Sequence, residues 1–260
     1  MRRLIVSLSA TALIIGSASM VCAADLPVKA RPMAVSVADW TGWHVGLNAG
    51  ATRSNVNVDW DAHINNTPLV NPQINSFAAN TFDPWGFTGG AQLGYDRQVG
   101  AFVGGGEADI QYTGLKDSRS VTYIGLVTGS PNTITESFES NWLATVRGRI
   151  GVLPTSSILL YATGGLAVGQ VKYADTRFVA FNGQTFAASS DEVRAGWTAG
   201  VGGEVALSPK WTIKAEYLHV DLGSTDYTSI GSLIPGNTID HHHSFTEDLV
   251  RLGVNYRIGG

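Results

Sequence analysis

Eight stretches of the chain carry apolar residues at every second position, with small or polar residues between them. The first has Trp43, Val45, Leu47 and Ala49 alternating with His44, Gly46, Asn48 and Gly50. The third sets Phe102, Ala108, Ile110 and Tyr112 against Glu107, Asp109 and Gln111. The last sets Val250, Leu252, Val254, Tyr256 and Ile258 against Arg251, Gly253, Asn255 and Arg257. The others lie at 85–96, 142–150, 160–168, 195–205 and 211–217. A period of two is that of a β-strand with two unlike faces, so the pattern predicts eight strands.

The connections alternate in length: 97–100, 153–157 and 208–210 are short, whereas 52–83, 113–139, 174–192 and 223–247 are long. The long ones are rich in Asn, Ser, Thr and Asp and read as exposed loops. Aromatics gather at both ends of the apolar faces. Trp43, Tyr95, Phe102, Trp211 and Tyr256 sit toward the short turns; Trp85, Phe87, Tyr112, Trp142, Trp197 and Tyr217 sit toward the long connections. Two aromatic belts, an apolar outer face and short turns on one side only define a membrane barrel. The predicted fold class is therefore all-β, an eight-stranded antiparallel up-and-down transmembrane β-barrel over 40–260. Long loops are expected to be extracellular and both termini periplasmic. A soluble sandwich or lipocalin-like barrel is the alternative, but it gives no reason for the sorted aromatics.

Composition supports this picture. Glycine is abundant at 31 residues and only 15% of residues are charged, against about 25–35% on a soluble surface. Met1-Arg2-Arg3, the apolar run from Leu4 to Ala18 and the small residues Val21-Cys22-Ala23-Ala24 have the three parts of a secretory signal peptide. A signal peptide over 1–23, cut after Ala23, and a periplasmic segment over 24–39 are expected. A membrane anchor would need about 20 apolar residues, and lipidation at Cys22 is poorly served by Met20-Val21. Cys22 is the single cysteine, so the cleaved chain has no disulfide to form. Removing Arg2 and Arg3 from the 17 basic residues leaves 15 against 21 acidic ones, a net charge of −6. That excludes the basic footprint of a nucleic-acid binder.

The charged residues within the strands share the inward parity: Glu107, Asp109, Glu204 and Glu216 against Arg147, Arg149, Lys214, Arg251 and Arg257. An eight-stranded lumen is just wide enough for side chains to fill it, and buried charges need partners. These nine are expected to form a salt-bridge network that plugs the lumen, the alternative being an ion path or gate. His219, Asp221 and Ser224 are the residue types of a hydrolytic set, but their spacing brings them together only by loop folding; no enzyme is expected. His241-His242-His243 offers imidazoles for a metal or haem, with a solvated loop segment as the plain alternative. Gly104-Gly105-Gly106 and Gly202-Gly203 are followed by no helix or P-loop lysine and are read as relief of crowding in a barrel.

Several stretches carry a resemblance: Ala24-Asp25-Leu26-Pro27, Trp40-Thr41-Gly42-Trp43-His44-Val45-Gly46-Leu47-Asn48-Ala49-Gly50, Trp211-Thr212-Ile213-Lys214-Ala215-Glu216-Tyr217-Leu218, and Val250-Arg251-Leu252-Gly253-Val254-Asn255-Tyr256-Arg257. They resemble the small porin-like outer-membrane proteins of alphaproteobacteria, the outer-membrane immunogenic protein group related to the OmpA-type membrane domain. The resemblance implies a barrel in the cell outer membrane that contributes to envelope integrity and is exposed to hosts; some relatives are similar to haemin binders or small diffusion pores. It carries over no catalytic residue. The expected partners are outer-membrane lipid and lipopolysaccharide around a monomer, and the barrel-assembly machinery. Relatives usually end on an aromatic; this chain has Ile258, then Gly259 and Gly260.

Overall fold

The computed structural model describes residues 39–64, 70–78, 80–234 and 236–258. The expected signal peptide with Cys22, nearly all of the 24–39 segment, and Gly259-Gly260 lie outside the described residues. Among the described residues there are eight long strands: β1 (Gly42–His63), β3 (Trp85–Val99), β4 (Phe102–Ile124), β5 (Pro131–Thr155), β6 (Ile158–Val179), β7 (Gln184–Ala206), β8 (Trp211–Gly231) and β9 (Thr238–Ile258). A helix, α1 (Val70–Ala78), and a short strand, β2 (Asn80–Phe82), lie between β1 and β3. Consecutive long strands pair antiparallel, and β1 pairs with β9 from Trp43↔Ile258 to His63↔Thr238. The up-and-down sheet thus closes into a ring, and β2 lies on β1 through Val56↔Phe82.

Seven of these strands have 21 to 25 residues, whereas about 9–11 tilted residues cross a bilayer. The excess lies at one end. From Trp43 to Ala51 the outward side chains of β1 are apolar; from Arg53 onward they are Arg53, Asn55, Asn57, Asp59 and Asp61. Over the same span the inward side chains change from His44, Asn48 and Thr52 to Val56, Val58, Trp60 and Ala62. β9 mirrors this, with Val250 to Ile258 apolar outward and Ile239, Phe245 and Leu249 buried inward beyond them. The exposed apolar band covers 43–51, 85–95, 102–112, 142–152, 160–168, 197–205, 211–217 and 250–258, which we take as the membrane-spanning segments. Aromatics edge the band at both ends, and at the short-turn end Trp43 packs on Tyr95 and Trp211 on Tyr256 at ring separations of 5.3 and 5.0 Å.

The long connections are therefore not loops. Most of their residues are strand, and the chain reverses at the far end in short turns such as 180–183. Their Asn, Ser, Thr and Asp residues lie largely on the outward face of a second, water-facing stretch of barrel. That stretch has an ordinary apolar core, including Leu115, Phe138, Leu143, Leu218, Val220, Phe245 and Leu249. Helix α1 buries Ile74 and Ala78 against this core. The Asn71 and Asn75 side-chain oxygens accept the backbone N–H groups of Ile64 and Ala62, and Phe77 stacks on Tyr123 at 4.7 Å. At the other end Trp40 is fully buried in the barrel mouth with Val103, Leu159 and Tyr161. Its indole N–H donates to the Ser156 carbonyl, and the Arg257 guanidinium lies 5.0 Å from its ring.

Candidate functional site

The nine charged residues picked out by parity all point into the lumen and are buried. Arg147 is the hub: its guanidinium reaches Glu107 and Asp109 at 2.7 Å and Glu216 at 3.0 Å. Arg251 joins Asp109 at 3.1 Å and Glu216 at 2.5 Å, and Lys214 reaches Glu107 at 2.6 Å. Arg149 spans Glu204 at 3.2 Å and Asp96, to which Nε donates at 2.7 Å. Two members were missed. Asp96 binds Arg149 and stands 3.8 Å from Arg257; His44 sits between Asp96 at 3.4 Å and Glu107 at 3.2 Å. With Asp96 included, five carboxylates face five cations. Neutral groups occupy remaining positions: Tyr161 donates to Glu216, Thr145 to Asp109 and Asn255 to Glu204. Glycine makes room: a Cβ on Gly94 would fall 2.4 Å from the His44 ring, and one on Gly202 would fall 2.5 Å from the Tyr161 ring.

A different chemistry occupies the interior beyond the membrane band. His241-His242-His243 is not in a loop but in β9, so alternate members face opposite ways. His241 and His243 are buried inside; His242 is exposed and paired with Asp226 at 2.5 Å. Asp175 of β6 meets both inner imidazoles, its Oδ2 lying 3.1 Å from His241 Nδ1 and 2.8 Å from His243 Nε2. The Tyr227 hydroxyl of β8 donates to the same oxygen at 2.6 Å, and its ring lies flat against both imidazoles. Burial alone would raise the Asp175 carboxyl, but hydrogen bonds from His241, His243 and Tyr227 and the His243 charge bring it down to about 2. Glu247, just beyond the band, has only the Thr52 hydroxyl as its hydrogen-bond donor among the described residues; burial pushes it up to about 7, and that bond opposes the rise.

The hydrolytic residues do not assemble. His219 faces outward, with Nδ1 2.8 Å from Asp248 and its ring 5.5 Å from Trp197. The Asp221 side chain accepts the Gly223 N–H, and Ser224 is exposed, with its carbonyl bound to Arg194.

Residues 11–257 match the family model described as outer membrane protein beta-barrel domain. The chain is 32% identical over 248 residues to the 31 kDa outer-membrane immunogenic protein of Brucella melitensis, covering 92% of this chain and 94% of that protein. It is 31% identical over 176 residues to the 22 kDa outer membrane protein of Rhizobium leguminosarum bv. viciae, covering 66% and 67%. The outer membrane protein OprG from Pseudomonas aeruginosa is a solved structure similar to it, at a TM-score of 0.49 and 13% identity over 86% of this chain and 99% of that one.

Proposed function

This chain belongs to the outer membrane protein beta-barrel domain family, and on that premise we propose that it is a closed, non-enzymatic structural barrel whose water-facing half projects from the cell. The observation that supports closure is the filling of the interior at two successive levels. Within the membrane band, Arg147, Asp109, Glu216 and Arg251 interlock across the lumen. Immediately beyond, Leu218, Leu143 and Leu249 begin an apolar core. A hydrated ion would have to break charge-assisted hydrogen bonds and then cross a dry layer, each a large barrier.

The proposed orientation places the short turns in the periplasm and the extended half outside, as in barrels with short periplasmic turns. An exposed, rigid half-barrel fits the immunogenic character named for the Brucella relatives. Planar-bilayer recording from folded protein tests closure: a flat baseline is expected, and reproducible unitary steps would establish a pore instead. Labelling of intact cells with a membrane-impermeant maleimide tests orientation. Asn57→Cys, on the outward face of the extended half, should label without cell disruption; labelling only after disruption would reverse the assignment.

A further inference from the structure

The inner histidines of β9 and the aspartate of β6 come together from strands far apart in sequence, 68 residues separating Asp175 from His243. We propose that Asp175, His241 and His243, with the Tyr227 hydroxyl beside them, bind one borderline divalent metal ion of the Zn²⁺ class inside the water-facing half of the barrel.

The donor set has the chemistry of such a site. Two imidazole nitrogens and a carboxylate oxygen lie within 4.8 Å of one another, all on buried residues. Tyr227 supplies a fourth oxygen 3.0 Å from His243 Nε2. In a tetrahedral zinc site with bonds of roughly 2.0–2.1 Å, donor atoms stand about 3.3 Å apart. The spacings of 2.8 and 3.1 Å from Asp175 to the imidazoles need open by only a few tenths of an ångström. Two nitrogen donors select against Ca²⁺ and Mg²⁺, which take oxygen ligands.

The hydrogen bonding of the cluster is itself unsatisfactory without an ion. One carboxylate oxygen, with two lone pairs, is hydrogen-bonded to Tyr227 and His243 and stands 3.1 Å from His241 Nδ1, while that nitrogen and the other oxygen, Asp175 Oδ1, are buried with no hydrogen-bond partner among the described residues. A cation bound to Oδ2 and both imidazoles would replace those competing contacts. The surroundings orient the ligands as outer partners do in metal sites. His241 Nε2 lies 2.9 Å from the Ser229 hydroxyl, leaving Nδ1 toward Asp175. Trp60 packs edge-on against His241 at 4.6 Å, and Tyr173 lies 4.3 Å from His243. On the outer wall, Asp59, Asp61, Asp226 and Asp240 surround a pocket of about 400 Å³ that His241 and Tyr227 also line, so cations concentrate beside the site.

The test uses the full untagged chain folded in detergent micelles, with the metal present during folding or added afterwards to chelator-stripped barrel. Calorimetric titration with Zn²⁺ should give one ion per barrel, and Co²⁺ should give the intense visible absorption of a tetrahedral site. His243→Ala and Asp175→Asn should each weaken Zn²⁺ binding by at least about tenfold, whereas His242→Ala should leave it unchanged. Folding of every variant is checked by its heat-modifiable gel mobility. If His243→Ala does not fold, Asp175→Asn and the wild-type Co²⁺ spectrum carry the decision. A folded wild-type barrel that takes up no Zn²⁺ overturns the proposal. So does an octahedral Co²⁺ spectrum, or equal loss in His242→Ala, which would assign the ion to the acidic outer wall. None of these readouts depends on whether the lumen conducts.

Discussion

The two halves of a single strand make opposite use of the same alternation. In β1 the outward positions from Trp43 to Ala51 are apolar and the inward ones include His44, Asn48 and Thr52; ten residues further on Asn57 and Asp59 face out while Val58 and Trp60 face in. The backbone parity of β1 is continuous through the change. What changes is the solvent. Lipid attracts no polar side chain and provides no hydrophobic drive toward the lumen, so specificity inside the membrane band comes from paired charge. Water beyond the band restores the hydrophobic effect, and the interior gains an apolar core beside the Asp175 cluster. The two halves should therefore fail in different ways.

The largest effect is expected where one member of the ion network is removed and its partners stay. Arg147→Leu leaves Glu107, Asp109 and Glu216 facing one another around a lost cation. Breaking a buried pair from one side costs about 3–5 kcal/mol, and urea unfolding followed by gel mobility should show a loss of that size. A change below about 1 kcal/mol would mean that water reaches these groups, and the membrane half would no longer differ from a surface. Next come two leucines of β9. Leu249 is fully buried in the water-facing core, whereas Leu252 lies in the lipid band. Leu249→Ala should cost about 3–4 kcal/mol through the cavity it leaves. Leu252→Ala should cost less than about 1 kcal/mol, because lipid fills the space. Equal costs would erase the proposed boundary between them.

Glu247 stands at that boundary and makes it sensitive to pH. Its carboxyl ionises near 4.5 when the chain is unfolded and at about 7 in the barrel. Below pH 4.5 both states hold the proton and the group contributes no pH dependence. Between 4.5 and 7 the folded state keeps a proton that the unfolded state releases, so stability falls as pH rises, by at most about 3 kcal/mol. Glu247→Gln keeps an acceptor for Thr52 and removes the titration. The variant should match the wild type at pH 4 and exceed it at pH 8 in urea midpoint. The reverse order would show that the carboxylate has an ionic partner.

The sequence made the membrane half readable because its alternation matches a lipid-facing strand, and the same parity sorted nine of its ten charged residues inward. Asp96 shares the inward parity of Thr88 and Gln92 but, standing beside the short turn at 97–100, is absent from the network expected from the strand charges. His44 escaped because a neutral ring does not register in a tally of charges. The water-facing half was harder. Its strands alternate as well, but with Asn, Asp, Ser and Thr outward they have the composition of loops. Nine residues of α1 were hidden in such a stretch. Asp175 had no local signal, since only the register of β6, β8 and β9 brings it to His241, His243 and Tyr227. The gaps in the histidine run follow from its being strand: period two splits three neighbours into two inner ligands and one outer bystander.

The smallest expected effect makes the sharpest use of the contrast, because it holds the chemistry constant. Lys172 and Asp191 form an ion pair at 3.3 Å on the outside of the water-facing half, where both side chains are more than a third exposed. Arg147 and Asp109 form one at 2.7 Å in the lumen, where both are fully buried. Water already solvates the outer pair, so their attraction is screened and holding two mobile side chains together consumes much of the gain. A double-mutant cycle with Lys172→Met and Asp191→Asn should give a coupling below about 1 kcal/mol that shrinks further in high salt. The corresponding cycle with Arg147→Leu and Asp109→Asn should give a coupling several times larger that salt leaves nearly unchanged, since counterions do not enter the packed lumen. If the two couplings came out alike in size and salt response, the lumen would be wet. The closed reading of the barrel would then fail on the same measurement.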